Sequence, residues 1–427
     1  MAGKKGEIPA NVRKKAFSHP CMEHPLIKIL NEVDDPRAPS LFFRHCLTSI
    51  LFMALVATIC GATDWAKVVV MSQGMADWLS QYVDMSGGVP CERTFKNIFN
   101  TLKPDALEQA LRELSSLLRE RMPNEVISFD GQSKRGTADR QKELGGIHLL
   151  NAWSADNRIC LGQLKVDDKS NEIPSMPKLM EMLDLKGTII TADAMNTQKH
   201  TVRTAIRQGA DYILPVKENQ PTLLDEIRAT FENHDHEVIQ ETIKWKRGIE
   251  KARENRDQKR LEKLLKQGAP VCGASHWESA MEKAHGRIEK RSCTVIPVGN
   301  MPSKEGWEGF QSIARIERER TEGDRTSHEA IYYMTSLKPD AALVAESVQE
   351  HWGVENGLHW RLDVVFRQDE SRYRDRVGAA NQAVIYKIAL NALLQEKSLK
   401  KGVATKQCAA ACNPVYRTKV LQKIFSP

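Results

Sequence analysis

An apolar run that ends directly in a charged residue is the feature that most constrains how this chain can fold. Val126–Phe129 has the pattern of a short buried strand, and Asp130 and Gly131 follow it at once. A carboxylate at the end of a buried strand costs free energy unless a cation compensates it, and a metal ion is the simplest such cation. An Asp-Gly turn is the alternative, and this stretch taken alone favours the turn. The choice between a metal site and a turn therefore depends on whether Asp130 has partners elsewhere in the chain.

A second stretch repeats this construction further along the chain. Thr188–Ala192 again has the pattern of a buried strand, and Asp193 follows it directly. Between the two aspartates, Gly146–Trp153 and Cys160–Val166 predict two neighbouring antiparallel strands, and Ile173–Leu185 has the spacing of a helix. We therefore expect each aspartate at the C-terminal end of a strand.

A third acid is needed if the aspartates hold two divalent ions. Glu355 is the candidate, because it lies on an amphipathic segment that could cross a sheet as a helix. Hard cations such as Mg²⁺ prefer oxygen ligands, and two of them can activate an attacking oxygen and stabilise a leaving one. Asp363, Asp369 and Glu370 stay open as rivals of Glu355. Glu172 is a further acid that could approach the site, and a role at a helix N-terminus explains it equally well.

Charge and cysteine content narrow the class of protein. The net charge of +7 and the pI of about 8.8 are a mild basic bias, which is compatible with a polyanion as partner. Nine cysteines are scattered without regular spacing, and no histidine follows the close pair Cys408 and Cys412 at zinc-site spacing. We predict reduced thiols in a cytosolic protein rather than a disulfide framework.

One long apolar run, Leu47–Ala62, raises the question of a membrane span. It has about 16 residues, fewer than the roughly 20 that a span requires, and it contains Thr48, Ser49 and Thr58. We predict a buried core helix and no membrane partner. The N-terminal residues have no apolar core of the kind that a signal peptide needs.

The order of predicted elements divides the 427 residues into six segments and predicts an α/β protein with a mixed sheet flanked by helices. They are a basic arm at 1–24, a helical domain at 25–121, the first part of a catalytic core at 122–233, an insertion at 234–338, the helical remainder of the core at 339–396 and a basic tail at 397–427. The helical domain has no helix-turn-helix signature, so a DNA-binding and a purely structural role stay open. Within the insertion, the densely charged Lys244–Lys266 predicts a solvated helix or a coiled-coil-like excursion, and three β segments follow it.

Several longer stretches together carry a family resemblance. They read DDPRAPSLFFRHCLTSILFMALVATICGATDW, FDGQSKRG, GQLKVDDKSNEIPSMPKLMEMLDLKGTIITADAMNTQ, ADYILPVKENQPTL, HGRIEKR and HWGVENGLHWRLDVVFRQDESR. In this order they resemble the H-repeat-associated (ISAs-type) insertion-sequence transposases of the DDE superfamily. The resemblance covers nearly the whole chain.

The resemblance implies a ribonuclease H-like core that acts on transposon-end DNA with two Mg²⁺ ions, which Mn²⁺ can replace. It makes Asp130 the first catalytic and metal-binding acid, Asp193 the second, and Glu355 the third, in the position of the family's HWxIE motif. A related group with a β insertion has Tyr, Arg and Lys around its glutamate. Here Val348, His351 and Leu362 stand in those places. The contacts that Tyr, Arg and Lys make to the DNA strand in that group are therefore not carried over to this chain.

Basic and aromatic residues supply the predicted DNA contacts. Phosphate contacts are expected from Lys134, Arg135, Lys199 and Lys217, which lie near the aspartates in sequence, and from Arg287 and Arg291 on a predicted strand. The β-rich insertion resembles one that holds a flipped base against an aromatic ring, and Trp307 is the candidate for that ring. An ordinary packed tryptophan is the alternative.

The sequence thus predicts a DDE transposase that cleaves DNA at the element ends and joins the freed 3′-hydroxyl to target DNA by in-line phosphoryl transfer. Its partners are double-stranded DNA and a second copy of the chain, since two ends must be brought together. The expected location is the bacterial cytoplasm, at the nucleoid. Two alternatives stay open: an inactive or domesticated protein that only binds DNA, and a ribonuclease H-like nuclease without strand transfer.

Overall fold

The computed structural model describes residues 24–38, 43–139, 141, 143–167, 171–284 and 287–425. Nearly all of the predicted basic arm at 1–24 lies outside these residues. Contacts divide the chain into two compact units. Unit one comprises Met1–Met122, Asp130–Ser175 and Val354–Pro427, and unit two comprises Pro123–Phe129 and Met176–Gly353.

The described elements alternate between helical and β-rich stretches, as the sequence predicts. The first stretch holds α1 (Pro25–Glu32), α2 (Leu47–Ile59), α3 (Trp65–Gly74), α4 (Ala76–Leu79), α5 (Glu92–Thr101) and α6 (Pro104–Leu118). The second holds β1 (Val126–Lys134), β2 (Ile147–Ser154), β3 (Ile159–Lys165), α7 (Glu172–Glu181), β4 (Ile189–Ala192), α8 (Lys199–Arg207), β5 (Asp211–Val216), α9 (Pro221–Glu254) and α10 (Gln258–Gln267). The last holds β6 (Ser275–Glu278), β7 (Glu282–Ala284), β8 (Arg287–Pro297), β9 (Ser312–Glu322), β10 (Arg325–Thr335), α11 (Ala341–Val354), α12 (Arg376–Gln395), α13 (Val403–Cys412) and α14 (Pro414–Phe425).

Helix α2 is the predicted core helix of unit one. All but one of its residues are buried, which confirms that its apolar run packs inside the protein. The helix ends at Ile59, and Gly61 follows its C-cap with a φ of +97°, which only glycine adopts without strain. The Ala62 amide then donates to the Ala57 carbonyl, the hydrogen bond that closes a helix C-terminus of this type.

Helix α12 lies at the centre of unit one and carries polar side chains that join it to its neighbours. By length and composition it is the one described helix that could cross a membrane, but 89% of its apolar window is buried inside the protein. Asn381 Nδ2 donates to the carbonyls of Phe99 and Leu102. Asn391 donates to the Cys160 carbonyl and accepts from the Cys160 amide. These bonds tie α12 to α5 and to β3.

Two buried lysines lie in the same interior. Lys387 Nζ on α12 donates to Gln163 Oε1 at 2.6 Å, and Lys134 Nζ donates to the Ala379 carbonyl at 3.2 Å. Burial lowers the pKa of Lys134 to about 7, and the nearby charge of Lys387 lowers it further. Burial likewise lowers the pKa of Lys387 to about 8. Both amines therefore lose their charge more easily than an exposed lysine does.

The sheet of unit two combines parallel and antiparallel strands. The first four residues of β1 pair parallel with β4, and β4 pairs parallel with β5. Beyond β5 the order is β10, β9, β8 and β6, all antiparallel. Helix α11 covers one face with Ala341, Val344 and Val348, which pack with Val126 and Ile189. The three predicted β segments are confirmed as β8 to β10, and they continue this sheet through the pairing of β10 with β5.

Strand β1 is longer than the sequence predicts. It runs from Val126 to Lys134, so Asp130 lies within the strand. The prediction that Asp130 ends the strand is wrong, and so is the alternative of an Asp-Gly turn. The reason is that pairing changes along the strand: the register with β4 ends at Phe129↔Ala192, whereas the rest of β1 belongs to unit one, where β2 neighbours it and pairs with β3 as predicted.

The charged stretch Lys244–Lys266 forms a helical hairpin, which agrees with the coiled-coil-like alternative rather than with one solvated helix. Helix α9 ends at Glu254, and Asp257 caps α10 by accepting from the Arg260 amide. Trp245 Nε1 donates to the Leu264 carbonyl at 2.9 Å and joins the two helices. The predicted basic tail likewise contains two helices, α13 and α14.

The buried Lys134 makes stability depend on pH. Its pKa is about 7 in the folded chain and near its ordinary value of 10.5 in the unfolded chain, so between about pH 8 and about pH 9.5 almost only the unfolded chain binds this proton. The free energy of unfolding should therefore rise with pH over that range, by about 1.4 kcal/mol per pH unit from this group. In Lys134→Met this part of the slope should be absent when denaturation in urea is followed across the range.

Lys259→Met, at an exposed position of α10, is the matched control and should keep the wild-type slope. A Lys134→Met protein with an unchanged slope would contradict the burial of an uncharged amine at this position.

Candidate active site

Asp130 and Glu355 share one histidine in unit one. Asp130 Oδ2 lies 3.4 Å from His359 Nδ1, and Glu355 Oε2 lies 3.3 Å from the same nitrogen. His359 is buried, whereas the Glu355 side chain is 69% exposed. The histidine thus holds two of the three predicted acids beside one another, with Glu355 open to solvent.

A change of helix type positions Glu355 and His359. After α11 the chain continues through two π-helical turns, Glu355–His359 and Arg361–Val365. In a π turn the backbone bonds reach one residue further than in an α-helix, and such turns are frequent at functional sites. Glu355 and His359 are four residues apart, so their side chains still meet on one face.

Glu172 approaches β1 next to Asp130. Its Oε1 lies 2.5 Å from His148 Nε2, and His148 Nδ1 lies 2.9 Å from Ser133 Oγ. A Cβ at Gly131 would lie 2.0 Å from Glu172 Oε1, so only glycine leaves room for this carboxylate. Glu172 therefore lies close to Asp130, as the first of its two expected roles requires.

The three acids that rivalled Glu355 have other partners. Asp363 Oδ2 accepts from Gln132 Nε2 at 3.0 Å, and burial and the charge of Asp369 raise the pKa of Asp363 to about 6. Asp369 Oδ1 accepts from the Arg135 amide, and the exposed Glu370 forms an ion pair with Arg367, three residues before it. Asp363 lies on the second π-helical turn, and Asp369 and Glu370 lie on the loop that follows it.

Asp193 lies directly after β4 in unit two, and its side chain is 63% exposed. Its Oδ1 lies 3.8 Å from His351 Nε2, while His351 Nδ1 lies 3.1 Å from Thr191 Oγ1. The Thr191 hydroxyl donates to Ser128 Oγ on the neighbouring strand. A small cavity opens here, and its lining includes Asp193, Lys217, Tyr333, His351 and Trp352.

The parallel register relates the two aspartates along their strands. Phe129 and Ala192 are partners at the end of the β1–β4 ladder. The next residue of each strand is an aspartate, Asp130 on β1 and Asp193 after β4. Two adjacent parallel strands thus each present an acid one residue beyond the same registered pair.

The predicted DNA contacts fall into three groups. Arg135, Lys199 and Lys217 are exposed, as phosphate contacts must be. Arg291 forms an ion pair with Glu289 at 2.6 Å. Arg287 is the first residue of β8, and its side chain is not among those that the structure describes.

Two predicted contacts are corrected by burial. Lys134 has no exposed surface, because its aliphatic chain and amine fill the interior under α12, so it cannot contact DNA phosphate. Trp307 is only 6% exposed and is an ordinary packed tryptophan rather than a stacking surface.

Sequence reasoning did not connect the histidines with the acids. His148, His351 and His359 each contact a carboxylate that was singled out, namely Glu172, Asp193 and the Asp130–Glu355 pair. The spacing of Glu355 and His359 was the available signal, since residues four apart meet on a helix. For the other two only the fold brings the partners together.

The donor atoms agree with a hard divalent cation. Within the described residues no group of three or more His, Cys, Asp or Glu side chains is close enough to form a metal site. Asp130 and Glu355 nevertheless offer carboxylate oxygens side by side, and oxygen is the donor that Mg²⁺ and Mn²⁺ prefer. The residues present therefore fit such an ion by their chemistry.

Comparisons with known proteins place these residues in a family. Residues 121–392 match the transposase DDE domain family, and residues 27–114 match the domain associated with it. "Putative transposase YncI" of Escherichia coli O157:H7 is 31% identical over 387 residues, which cover 88% of this chain and 90% of that protein. "H repeat-associated putative transposase YhhI" of Escherichia coli K12 is 29% identical over 390 residues, which cover 88% and 92%.

One solved structure also aligns with this chain, at low structural similarity and low sequence identity. The cryo-EM structure of a piggyBac transposase synaptic complex with hairpin DNA aligns with 95% of this chain and 79% of its own, with 9% identity and a TM-score of 0.36. The family match and the relatives agree with the resemblance seen in the sequence motifs. This chain therefore belongs to the transposase DDE domain family and is similar over most of its length to the H repeat-associated transposases.

Proposed function

We propose that the protein is a DNA transposase in which Asp130, Asp193 and Glu355 hold two divalent metal ions. The observation that carries this proposal is the shared contact of Asp130 and Glu355 with His359. The register Phe129↔Ala192 supports the third member, because Asp130 and Asp193 each follow one member of this pair directly. The mixed sheet with parallel β1, β4 and β5 supports a ribonuclease H-like core.

The bound ions would supply positive charge that activates the attacking oxygen and stabilises the leaving oxygen. The protein's own part is to keep three carboxylates charged and correctly placed. His359 orients Asp130 and Glu355, and His351 orients Asp193 while Thr191 anchors His351 to β4. Such partners set the direction of ligand oxygens and the readiness of a site to accept metal.

The exposed basic residues take the role of phosphate contacts in this proposal. Arg135, Lys199 and Lys217 are open to solvent, and Lys217 lines the same cavity as Asp193. Their contacts would position the DNA backbone without reading its sequence. The reaction is hydrolysis of the phosphodiester at the element end, followed by in-line attack of the freed 3′-hydroxyl on target DNA.

The partners and location follow from that reaction. The substrate is double-stranded DNA, at the element ends and at the target, and two copies of the chain would bring two ends together. The protein would work in the bacterial cytoplasm, at the nucleoid. A copy that only binds DNA would give no strand cleavage with Mg²⁺ on end-bearing DNA, and a nuclease would give cleaved strands that are never joined to a target.

Removal of one predicted metal ligand should abolish strand cleavage. Glu355→Gln removes the charge and keeps the size of the side chain, so cleavage of end-bearing DNA with Mg²⁺ should fall by more than about 100-fold, the scale of losing a main electrostatic group. Asp130→Ala and Asp193→Ala should behave alike, while DNA binding in a gel-shift assay largely survives.

Glu370→Gln is the matched control, since Glu370 is also an exposed glutamate in the same unit but pairs with Arg367. It should cleave at the wild-type rate. Retained cleavage in Asp193→Ala, or equal losses in Glu355→Gln and Glu370→Gln, would refute the assignment.

His359 should act as a positioning residue. In His359→Ala the two carboxylates lose their shared partner, so the Mn²⁺ concentration for half-maximal cleavage should rise by about 10- to 100-fold, the usual effect of removing a ligand's hydrogen-bond partner. A purely structural role would lower the rate at all metal concentrations and leave this concentration unchanged. His200→Ala, on the exposed face of α8, is the control and should leave both quantities as in the wild type.

A further inference from the structure

A large basic cleft in unit one is separate from the acids described above. It encloses about 1020 Å³ between the β2–β3 turn, the second π-helical turn, the end of α12 and the start of α13. That is at the upper end of the range of small-molecule pockets. It therefore has the size for a polymer segment rather than for a compact metabolite.

The cleft is lined by more cations than acids. Its charged lining residues are Arg158, Arg361, Lys397, Lys400, Lys401 and Lys406 against Asp156 and Glu396. Glu396 is already bound by the Tyr416 hydroxyl at 2.7 Å and by the Ser398 amide at 2.7 Å. Among the ion pairs of the described residues, none involves one of the six cations. Their charge is thus left for an external anion.

Two of the cations are held in place without an acid. Arg361 Nη1 donates to the Gly357 carbonyl at 2.9 Å, and Lys406 Nζ donates to the carbonyls of Leu393 and Glu396. Burial lowers the pKa of Arg361, and the charge of Arg158 lowers it further. Like charges that face one another and are anchored by carbonyls are stabilised when an anion binds between them.

An exposed tryptophan completes the cleft. Trp360 is 51% exposed, although its large apolar ring would gain about 1.5 kcal/mol or more from burial in a core. It follows His359 directly, so it is anchored on the same π-helical segment that orients Asp130 and Glu355. Basic grooves with exposed aromatic rings are typical of surfaces that bind single-stranded nucleic acid, because unpaired bases stack on the rings.

We propose that this cleft binds an unpaired segment of DNA, with its phosphates on the lysines and arginines and one base stacked on Trp360. The inference rests on the proposed function in taking DNA as the substrate. It adds a second contact surface, which would hold strand ends that have separated from their partner during cleavage. A duplex alone would use the cations and leave the ring without a partner.

The test measures binding of labelled single-stranded and duplex DNA of equal length by fluorescence anisotropy, in Glu355→Gln protein without divalent metal. In that background Trp360→Leu keeps an apolar side chain but removes the ring, and should weaken single-strand binding about 5-fold or more, as expected for one stacked base. Trp360→Phe should retain most of the affinity. Duplex binding should change less than about 2-fold in both variants.

Charge is tested by changing Lys400 and Lys401 together to Ser on their exposed loop. The salt dependence of single-strand binding should fall by about 1.4 in log–log slope, at about 0.7 per lost phosphate contact. The same change at Lys259 and Lys263 on α10 is the matched control and should leave the slope as it was.

Equal losses in Trp360→Leu and Trp360→Phe, an equal loss of duplex binding, or competition by inorganic phosphate alone would overturn the proposal. A variant that does not fold is recognised by its circular dichroism, and the Lys400 and Lys401 change then decides. If single-strand binding behaves as expected and no variant or wild type cleaves DNA with metal, the proposed function fails and the cleft remains a DNA-binding surface.

Discussion

The parallel pairing of β1 with β4 is the constraint on which the rest of this structure depends. Its register makes Phe129 and Ala192 partners, and the next residue of each strand is an aspartate. A shift of β4 by one residue would move every one of its side chains to the other face of the sheet. Ile189 and Ile190 are fully buried in the observed register, one on each face of the sheet.

Histidines rather than lysines or arginines accompany the acids in both units. His359 lies between Asp130 and Glu355, His351 lies beside Asp193, and His148 contacts Glu172. A guanidinium would form a strong bidentate pair with a carboxylate and would compete with a metal for its oxygens. Imidazole makes weaker contacts when neutral, so these partners can orient the carboxylates and still leave oxygens available.

The basic residues divide by their surroundings in a way that sequence position does not predict. Lys134 and Arg135 are neighbours four and five residues after Asp130, yet the first is enclosed under α12 and the second is exposed. Strand β1 ends at Lys134, and Arg135 begins a short 3₁₀ turn, so the two neighbours have different surroundings. The cleft around Trp360 shows the reverse case: Arg158 and Lys400 are far apart in the chain and meet on one surface.

The sequence by itself determined the apolar helix α2, the strands that precede Asp130 and Asp193, the hairpin of β2 and β3, and the family. These features depend on local patterns of apolar and polar residues, which repeat with the period of a helix or a strand. It did not reveal that β1 continues past Gly131 or that Trp307 is packed, and it left open whether Glu172 comes close to β1. Those features depend on neighbours distant in the chain, and so do the contacts of His351 with Asp193 and of His148 with Glu172. Only the tertiary structure decided them, because burial and pairing across a sheet are properties of the assembled elements and not of any single stretch.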